Sequence, residues 1–409
     1  MLSRLWFSFF LLSFIACFYQ WWWLGNPEIY STVIKASFDM AKLAVDISIG
    51  LIGVMCLWLG IFKVAEASGL IASLAKLLAP LFERLMPEIP KGHPAIGSIT
   101  MNLSANLLGL DNAATPMGLK AMQDMQGLNV EKNIASNAQI LFLVLNTSSV
   151  TLLPITIFLY RVQMGSAEPT TVFLPIVLAT SVSTLVGLLA VAWIQKLKIF
   201  DRVVFSYFFG FSLLISSVLY AVQTQPAADM NTFSNLIGNL ALFSIIVGIL
   251  GFGLFKKVTI YDVFIEGAKE GVSVVVKIVP YLVAMLVAIG ILRASGVLGF
   301  FVEGLTLIFT TIGINTDFVA ALPTALMKPF SGSGSRAMMI ETMNNYGVDS
   351  FPATIAAIVQ GSTETTFYVL AVYFGSVGIQ QVRHAIFCGL LADFAGIVTA
   401  ILLGYWFFY

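Results

Sequence analysis

Charge is what this sequence has least of. Charged residues make up 10% of the 409 positions and hydrophobic residues 58%, whereas soluble domains average about 25% charged residues. A water-soluble fold of this length needs more polar surface, so the excess apolar residues must face lipid. The 21 basic residues balance the 21 acidic ones, which argues against a nucleic-acid partner and against a polybasic membrane tether.

Cysteine, histidine and catalytic motifs are also scarce. The three cysteines lie in apolar runs without metal-ligand spacing, and the two histidines lie near loops. The sequence contains neither an HExxH motif nor a glycine-rich phosphate loop with its lysine and serine or threonine. The glycine-containing run 331–336 lacks the flanking strand of a dinucleotide site. We therefore expect no enzyme, no cofactor and no metal site, and uphill transport would need an ion gradient or a partner.

Apolar segments near the length of a membrane span recur along the whole chain. The first ends with the triplet Trp21-Trp22-Trp23, which suits a membrane interface. Segments 69–86, 94–126, 297–314 and 316–346 are apolar but short or interrupted, which indicates half-helices, re-entrant hairpins or steep amphipathic helices. The sequence therefore predicts an all-α polytopic membrane protein, with clear spans at 5–24, 43–62, 135–160, 172–195, 203–222, 233–254, 271–292, 352–374 and 385–408.

The two halves of the chain resemble each other. Lys120-Ala121-Met122 matches Arg336-Ala337-Met338 at an offset of 216 residues, and 144–151 matches 359–366 at an offset of 215. Two matches in the same order and at nearly the same offset indicate an internal repeat. We divide the chain into a first repeat at 1–200, a linking transmembrane helix at 203–222 and a second repeat at 233–409.

Positive charges predict the orientation. With the N-terminus in the cytoplasm, ten Lys and Arg positions fall at cytoplasmic helix ends and four at external ones. This predicts a multi-pass protein of the bacterial inner membrane with an external C-terminus. The extra helix between the halves then makes the repeats inverted, an arrangement that in secondary transporters places the substrate site near the bilayer midplane.

Clusters of polar residues interrupt the apolar segments. An isolated Ser or Thr usually bonds to the preceding helical turn, but a run of several polar residues is costly in lipid unless it faces protein or water. Prolines and glycines at these places indicate broken helices whose ends can bind a solute or an ion. The predicted substrate-binding residues are Asn102, Asn106, Asp111, Asn146, Thr147, Ser148, Lys328, Ser331, Ser333, Ser335, Arg336, Ser362, Thr363 and Glu364.

Glu364 is the most unusual of these residues because it places a carboxyl inside an apolar segment. It could carry a proton, or it could form a structural ion pair with Lys328 or Arg336. We assign proton or ion coupling to Glu364 and Asp111. Asp111 and Lys328 could also face each other across the centre as a charge pair, or they could clamp the ends of a zwitterion.

Three stretches carry a family resemblance. Residues 99–122 resemble the signature region of spore maturation protein A, and 325–339 together with 359–378 resemble that of spore maturation protein B. The resemblance covers nearly the whole chain, which looks like a fusion of the two. It implies a membrane protein with the nucleoside recognition or Gate domain, also found in concentrative nucleoside transporters and ferrous-iron transporter B. In spore formers the pair is implicated in dehydration of the spore core.

The leading hypothesis is an inner-membrane secondary transporter or exporter of a small polar solute, nucleoside-like or amino-acid-like, working by alternating access. Its expected partners are that solute, H⁺ or Na⁺ as the coupling ion, and the lipid bilayer. Whether the protein also forms a homo-oligomer is left undecided by the sequence. The alternative is a non-transporting scaffold for envelope or spore maturation, and a third reading is a lipid-precursor flippase. The solute and the direction of transport stay open at this point.

Overall fold

The computed structural model describes residues 2–109, 111–197, 201–224 and 230–409, without the side chains of 2, 111–113, 222, 223, 230 and 231. Within these ranges the chain forms helices and no strand, apart from an isolated bridge between Ile134 and Gln381. The helices are α1 Leu2–Trp23, α2 Ile29–Ala67, α3 Leu70–Leu85, α4 Pro94–Leu107, α5 Asp111–Leu128, α6 Asn137–Thr147, α7 Ile155–Gln163, α8 Phe173–Gln195, α9 Arg202–Gln223, α10 Met230–Phe255, α11 Ile260–Ala294, α12 Val297–Thr311, α13 Leu322–Met327, α14 Gly332–Tyr346, α15 Phe351–Ser362, α16 Thr366–Ser376 and α17 Ala385–Phe408.

Eight helical stretches among the described residues are long and apolar enough to cross a membrane. They are α1, α2, α8, α9, α10, α11, α17 and the stretch Phe351–Ser376 that contains α15 and α16. The prediction of an all-α polytopic membrane protein is confirmed. Two of the predicted spans, 43–62 and 271–292, are the apolar parts of the much longer helices α2 and α11. Both helices continue beyond the apolar part into turns that contain charged residues.

The order of helices repeats along the chain. A long helix, a short helix, a helical hairpin, a broken helix and a final long helix follow one another in α2–α8 and again in α11–α17. In both series the short helix begins after a glycine with left-handed backbone angles, Gly69 at φ 74° and Gly296 at φ 78°. Only glycine adopts these angles without steric cost, so both turns depend on it.

The broken helices and the helical hairpins that the sequence predicts are present. The hairpins are α4–α5 and α13–α14, and the breaks lie at 148–154 and 363–365. The segments 69–86 and 297–314 form α3 and α12, each too short to be counted among the eight spans. The inverted orientation of the two series stays a prediction.

The chain divides into two compact units. The first unit contains Met1–Gly60, Thr156–Pro169 and Ile265–Gln360, and the second contains Ile61–Ile155, Thr170–Phe264 and Gly361–Tyr409. Each unit thus takes segments from both predicted repeats. A repeat in sequence is therefore not a compact body in space, and the boundaries 1–200, 203–222 and 233–409 stay predictions about the sequence.

Small residues bring helices close together in both units, as is common between membrane helices. In the second unit, a Cβ at Gly187 of α8 would lie 3.1 Å from Cβ of Ala392 in α17. In the first unit, a Cβ at Gly271 of α11 would lie 2.7 Å from the backbone nitrogen of Cys56 in α2. Backbone cannot yield as a flexible side chain can, so α2 and α11 require glycine at 271.

The Gly271→Ala substitution should destabilise the protein. Its methyl group must push α2 and α11 apart, and overpacking of this kind costs about 1–3 kcal/mol. Gly248→Ala in α10 is the matched control, because no described atom lies within 4 Å of a Cβ built there. We expect the control to gain up to about 1 kcal/mol from helix propensity. Thermal unfolding in detergent measures both variants, and equal melting temperatures would contradict the close helix contact.

Candidate functional site at two broken helices

The first break separates α6 from α7. A capping box of Ser136 and Gln139 starts α6, which ends at Thr147, while Pro154 disfavours helical geometry in the residue before it. The backbone groups released in the break find partners nearby. The Leu152 N–H donates to the Leu107 carbonyl at 3.0 Å, and the Thr184 hydroxyl donates to the Ser148 carbonyl at 2.5 Å.

The second break separates α15 from α16 and bonds directly to the first. The Glu364 N–H donates to the carbonyl of Thr147 at 2.7 Å. Thr147 is the last residue of α6, where helical carbonyls lack partners within their own helix. The two breaks, one from each half of the chain, therefore satisfy each other's backbone groups inside the second unit.

In the first unit, Lys328 provides the hydrogen-bond donor for a backbone carbonyl that the second break leaves without its helical partner. In a continuous helix the Gln360 carbonyl would accept from the N–H of residue 364, but that N–H bonds to Thr147 instead. The buried ammonium of Lys328 donates to the Gln360 carbonyl at 2.7 Å. A cation at this position also interacts favourably with the negative end of the α15 dipole.

Three asparagines and a tyrosine form a hydrogen-bond network beside the first break, and all of them except the half-buried Asn106 are buried. The Asn146 side-chain oxygen accepts from the Asn106 amide at 2.8 Å and from the Tyr373 hydroxyl at 3.3 Å. The Asn102 amide donates to the Tyr373 oxygen at 3.2 Å. The structure thus brings together three residues that the sequence predicted separately. Tyr373 was missed, because nothing in the sequence distinguishes it from Tyr368, which is exposed.

Several buried oxygen atoms at the breaks have no hydrogen-bond partner among the described residues. They include the hydroxyls of Thr147 and Thr363. The methyl of Thr363 lies 2.7 Å from a Cβ built at Gly396 and that of Thr147 lies 3.7 Å from one built at Gly389, so both methyls face α17. Buried polar groups are nearly always hydrogen-bonded, so these two hydroxyls are candidates for binding water or a polar ligand.

The remaining predicted residues of the α13–α14 hairpin contact other groups of the protein, three of them within the hairpin, whereas Arg336 contacts α7. The Ser331 hydroxyl caps α14 by accepting from the Gly334 N–H at 3.0 Å, and it lies 3.2 Å from the Ser333 hydroxyl. The Ser335 hydroxyl donates to the Thr324 carbonyl at 2.7 Å. The Arg336 guanidinium lies over the Tyr160 ring, 5.5 Å from its centre. These contacts explain the hairpin geometry, and a ligand role for the four residues stays a prediction.

The predicted coupling residues have different outcomes. The Glu364 side chain is exposed instead of enclosed by an apolar span, because the helix break carries it out of the packed core. The Asp111 side chain lies outside the described residues, so its assigned roles remain predictions. The Ser148 hydroxyl donates to the Val144 carbonyl at 2.9 Å, which is the bond to the preceding helical turn expected of an isolated serine. Ser362 is fully buried at the end of α15.

The sequence that contains this site matches a known family. The family model described as "Nucleoside recognition", named Gate, matches residues 48–163 and 275–380, more than half of the chain. The chain belongs to the nucleoside recognition (Gate) family. The two matched stretches include both helix breaks, both hairpins, Lys328 and Tyr373, so all the predicted site residues lie inside the Gate regions.

Two curated relatives of this Gate protein come from Bacillus subtilis (strain 168). Spore maturation protein B is 46% identical over 166 residues, which cover 40% of this chain and 92% of the relative. Spore maturation protein A is 46% identical over 151 residues, which cover 37% of this chain and 77% of the relative. The resemblance predicted from the signature stretches is confirmed, as expected for a fusion of the two proteins. No solved structure matches the chain significantly.

Lys328→Met should lower the free energy of unfolding of the Gate protein by about 1–3 kcal/mol, because it leaves the Gln360 carbonyl without its charged donor. Lys91→Met is the control, since Lys91 is exposed in a loop and such substitutions change stability by about 0.5 kcal/mol or less. Urea or thermal unfolding in detergent measures the difference. A Lys328→Met variant as stable as the control would show that the ammonium does not support the end of α15.

Proposed function

We propose that this Gate-family protein is an inner-membrane secondary transporter or exporter of a small polar solute. The solute, nucleoside-like or amino-acid-like, binds where the two broken helices of the repeats meet and crosses the membrane by alternating access. The observation that carries the proposal is the bond between the Glu364 N–H and the Thr147 carbonyl, flanked by buried hydroxyls without described partners. Many secondary transporters place their substrate at such discontinuous helices.

The chemistry of the breaks favours a solute that binds through hydrogen bonds. The hydroxyls of Thr147 and Thr363 can donate or accept, and the Asn102 side-chain oxygen has no described donor. The Lys328 ammonium already donates to the Gln360 carbonyl, so its burial is explained without an anionic ligand. A neutral polar molecule or a zwitterion is therefore a better match than a simple anion.

The exposed carboxylate of Glu364 is the proposed coupling group, with H⁺ or Na⁺ as the ion. Its backbone N–H holds the two breaks together while its side chain remains accessible. Ion binding at this side chain would act on the same residue that joins the breaks. We further propose a cytoplasmic N-terminus and an external C-terminus, on the excess of positive charge at the assigned cytoplasmic ends.

A ligand should stabilise the purified protein through the two threonine hydroxyls. We expect one solute among nucleosides and amino acids to raise the melting temperature, by mass action on the folded state. Thr147→Val and Thr363→Val keep the shape but remove a hydroxyl, and each should weaken the affinity for the solute by about tenfold, so that more solute is needed for the same stabilisation. Thr310→Val on exposed α12 should leave it unchanged.

If no solute stabilises the protein and both valine variants retain cellular function, the scaffold alternative is favoured. That alternative predicts sensitivity in the exposed loop 87–93 instead of at the breaks. Valine variants that lose stability equally with and without solute would assign the hydroxyls a folding role only.

Coupling can be tested separately from binding. Proteoliposomes are loaded with the stabilising solute and placed in a solution of the same solute carrying a label. We expect an imposed H⁺ or Na⁺ gradient to drive uptake of the labelled solute by the unmodified protein. Glu364→Gln should abolish the response to the gradient while solute exchange continues, because the amide cannot carry the ionic charge. Glu266→Gln, at an exposed position of α11, is the control. Full gradient-driven uptake by Glu364→Gln would remove Glu364 from the coupling step.

A further inference from the structure

A cavity lies in the first unit, and none of its lining residues belongs to the helix breaks. Its volume is ≈160 Å³, and its walls come from the end of α11, from α12 and from the α13–α14 hairpin. The polar lining includes Arg293, Glu303, Glu341 and Asn345. None of these residues is among the predicted site residues, because they are scattered over three helices with no local motif.

The centre of the cavity lining is an incompletely bonded ion pair. The Arg293 Nε atom lies 2.5 Å from Oε1 of Glu341, but the alignment does not meet hydrogen-bond geometry. The guanidinium also donates through Nη1 to the Asn345 oxygen at 3.2 Å, so it is shared between two acceptors. The other carboxylate oxygen of Glu341, Oε2, is buried and has no hydrogen-bond donor among the described residues.

A bidentate arginine would satisfy both carboxylate oxygens, so this pair leaves one acceptor for another group. The Glu341 side chain is only 4% exposed, and burial raises the pKa of its carboxyl, an effect that Arg293 opposes. A buried carboxylate with an empty acceptor position gains most from a charged donor.

Charge in the cavity also favours a cation. The charged residues among its lining are one guanidinium, Arg293, and two carboxylates, Glu303 and Glu341. Since Arg293 compensates one carboxylate, the described lining carries one excess negative charge. Glu303 is exposed and belongs to the lining, so it can attract a cation to the cavity.

The other walls are apolar, formed by side chains such as Leu298, Val302, Pro323 and Met338. These side chains would contact hydrocarbon and would not replace the hydration shell of a bare metal ion. An engineered cavity of about 150 Å³ holds a benzene molecule, which sets the scale for a ligand here. The cavity therefore suits a charged nitrogen attached to a short carbon chain.

We propose that this cavity is a binding site for a small organic ammonium ion, whose N–H groups bond to Glu341 and Glu303 and whose carbon chain packs against α12. The site is separate from the proposed solute site at the helix breaks and does not depend on it. The ligand completes the hydrogen bonding of the buried carboxylate and neutralises the excess charge of the lining.

Binding of n-butylammonium to the purified full-length protein tests this site. We expect a saturable rise in melting temperature with n-butylammonium chloride, beyond any effect of equal sodium chloride, and no such rise with n-butanol, which lacks the charge. Glu341→Gln should weaken binding by about tenfold or more, as expected for loss of a charge-assisted hydrogen bond. Glu168→Gln, at an exposed position outside the cavity, should bind like the unmodified protein.

Val302→Phe provides a second test that leaves the ion pair intact. The larger side chain fills the cavity, so it should abolish the n-butylammonium effect even if Glu341→Gln does not fold. The proposal is overturned if sodium chloride reproduces the whole effect, if Val302→Phe binds normally, or if a folded Glu341→Gln protein binds with unchanged midpoint. Equal stabilisation by n-butanol would also overturn it, by showing that the apolar wall alone is recognised.

Discussion

The hydrogen bond from the Glu364 N–H to the Thr147 carbonyl is the contact on which the arrangement of the second unit depends. A broken helix in an apolar environment releases backbone donors and acceptors, and each group left unsatisfied costs several kcal/mol in lipid. The two breaks solve this problem jointly, because the open end of α6 accepts the N–H that the second break releases. One consequence appears in the first unit, where the Gln360 carbonyl is left for the Lys328 ammonium. A residue expected to bind substrate therefore has a structural partner.

The duplicated helix order gives this mutual bonding a simple basis. Each half of the chain supplies one helical hairpin and one broken helix, and glycines at equivalent turns start α3 and α12. The compact units nevertheless combine segments from both halves. Neither half contains all the partners of its own broken helix, since the carbonyl of Thr147 is bonded by a residue about half the chain length away. The two halves are similar to two separate spore maturation proteins. Joining them in one chain keeps together the partners that each broken helix needs.

The two candidate sites differ in the physical basis of recognition. The breaks present amides, hydroxyls and backbone groups, with an exposed carboxylate beside them, so they suit hydrogen bonding to a neutral or zwitterionic solute. The cavity of the first unit presents an imperfect ion pair and apolar walls, so it suits a small organic cation. In both places the proposal of a ligand rests on a buried polar atom without a described partner, which folded proteins rarely retain.

The sequence by itself determined the class of protein, the places where helices break and the family. Composition, hydropathy and the positions of proline and glycine are local properties, and lipid penalises polar runs wherever they occur, so these predictions needed no contacts. Only the tertiary structure decided which polar residues act together. It grouped Asn102, Asn106 and Asn146 around Tyr373, and it brought Arg293 to Glu341. Such partners are far apart in the chain, and their pairing depends on how whole helices pack, which a single sequence does not encode locally.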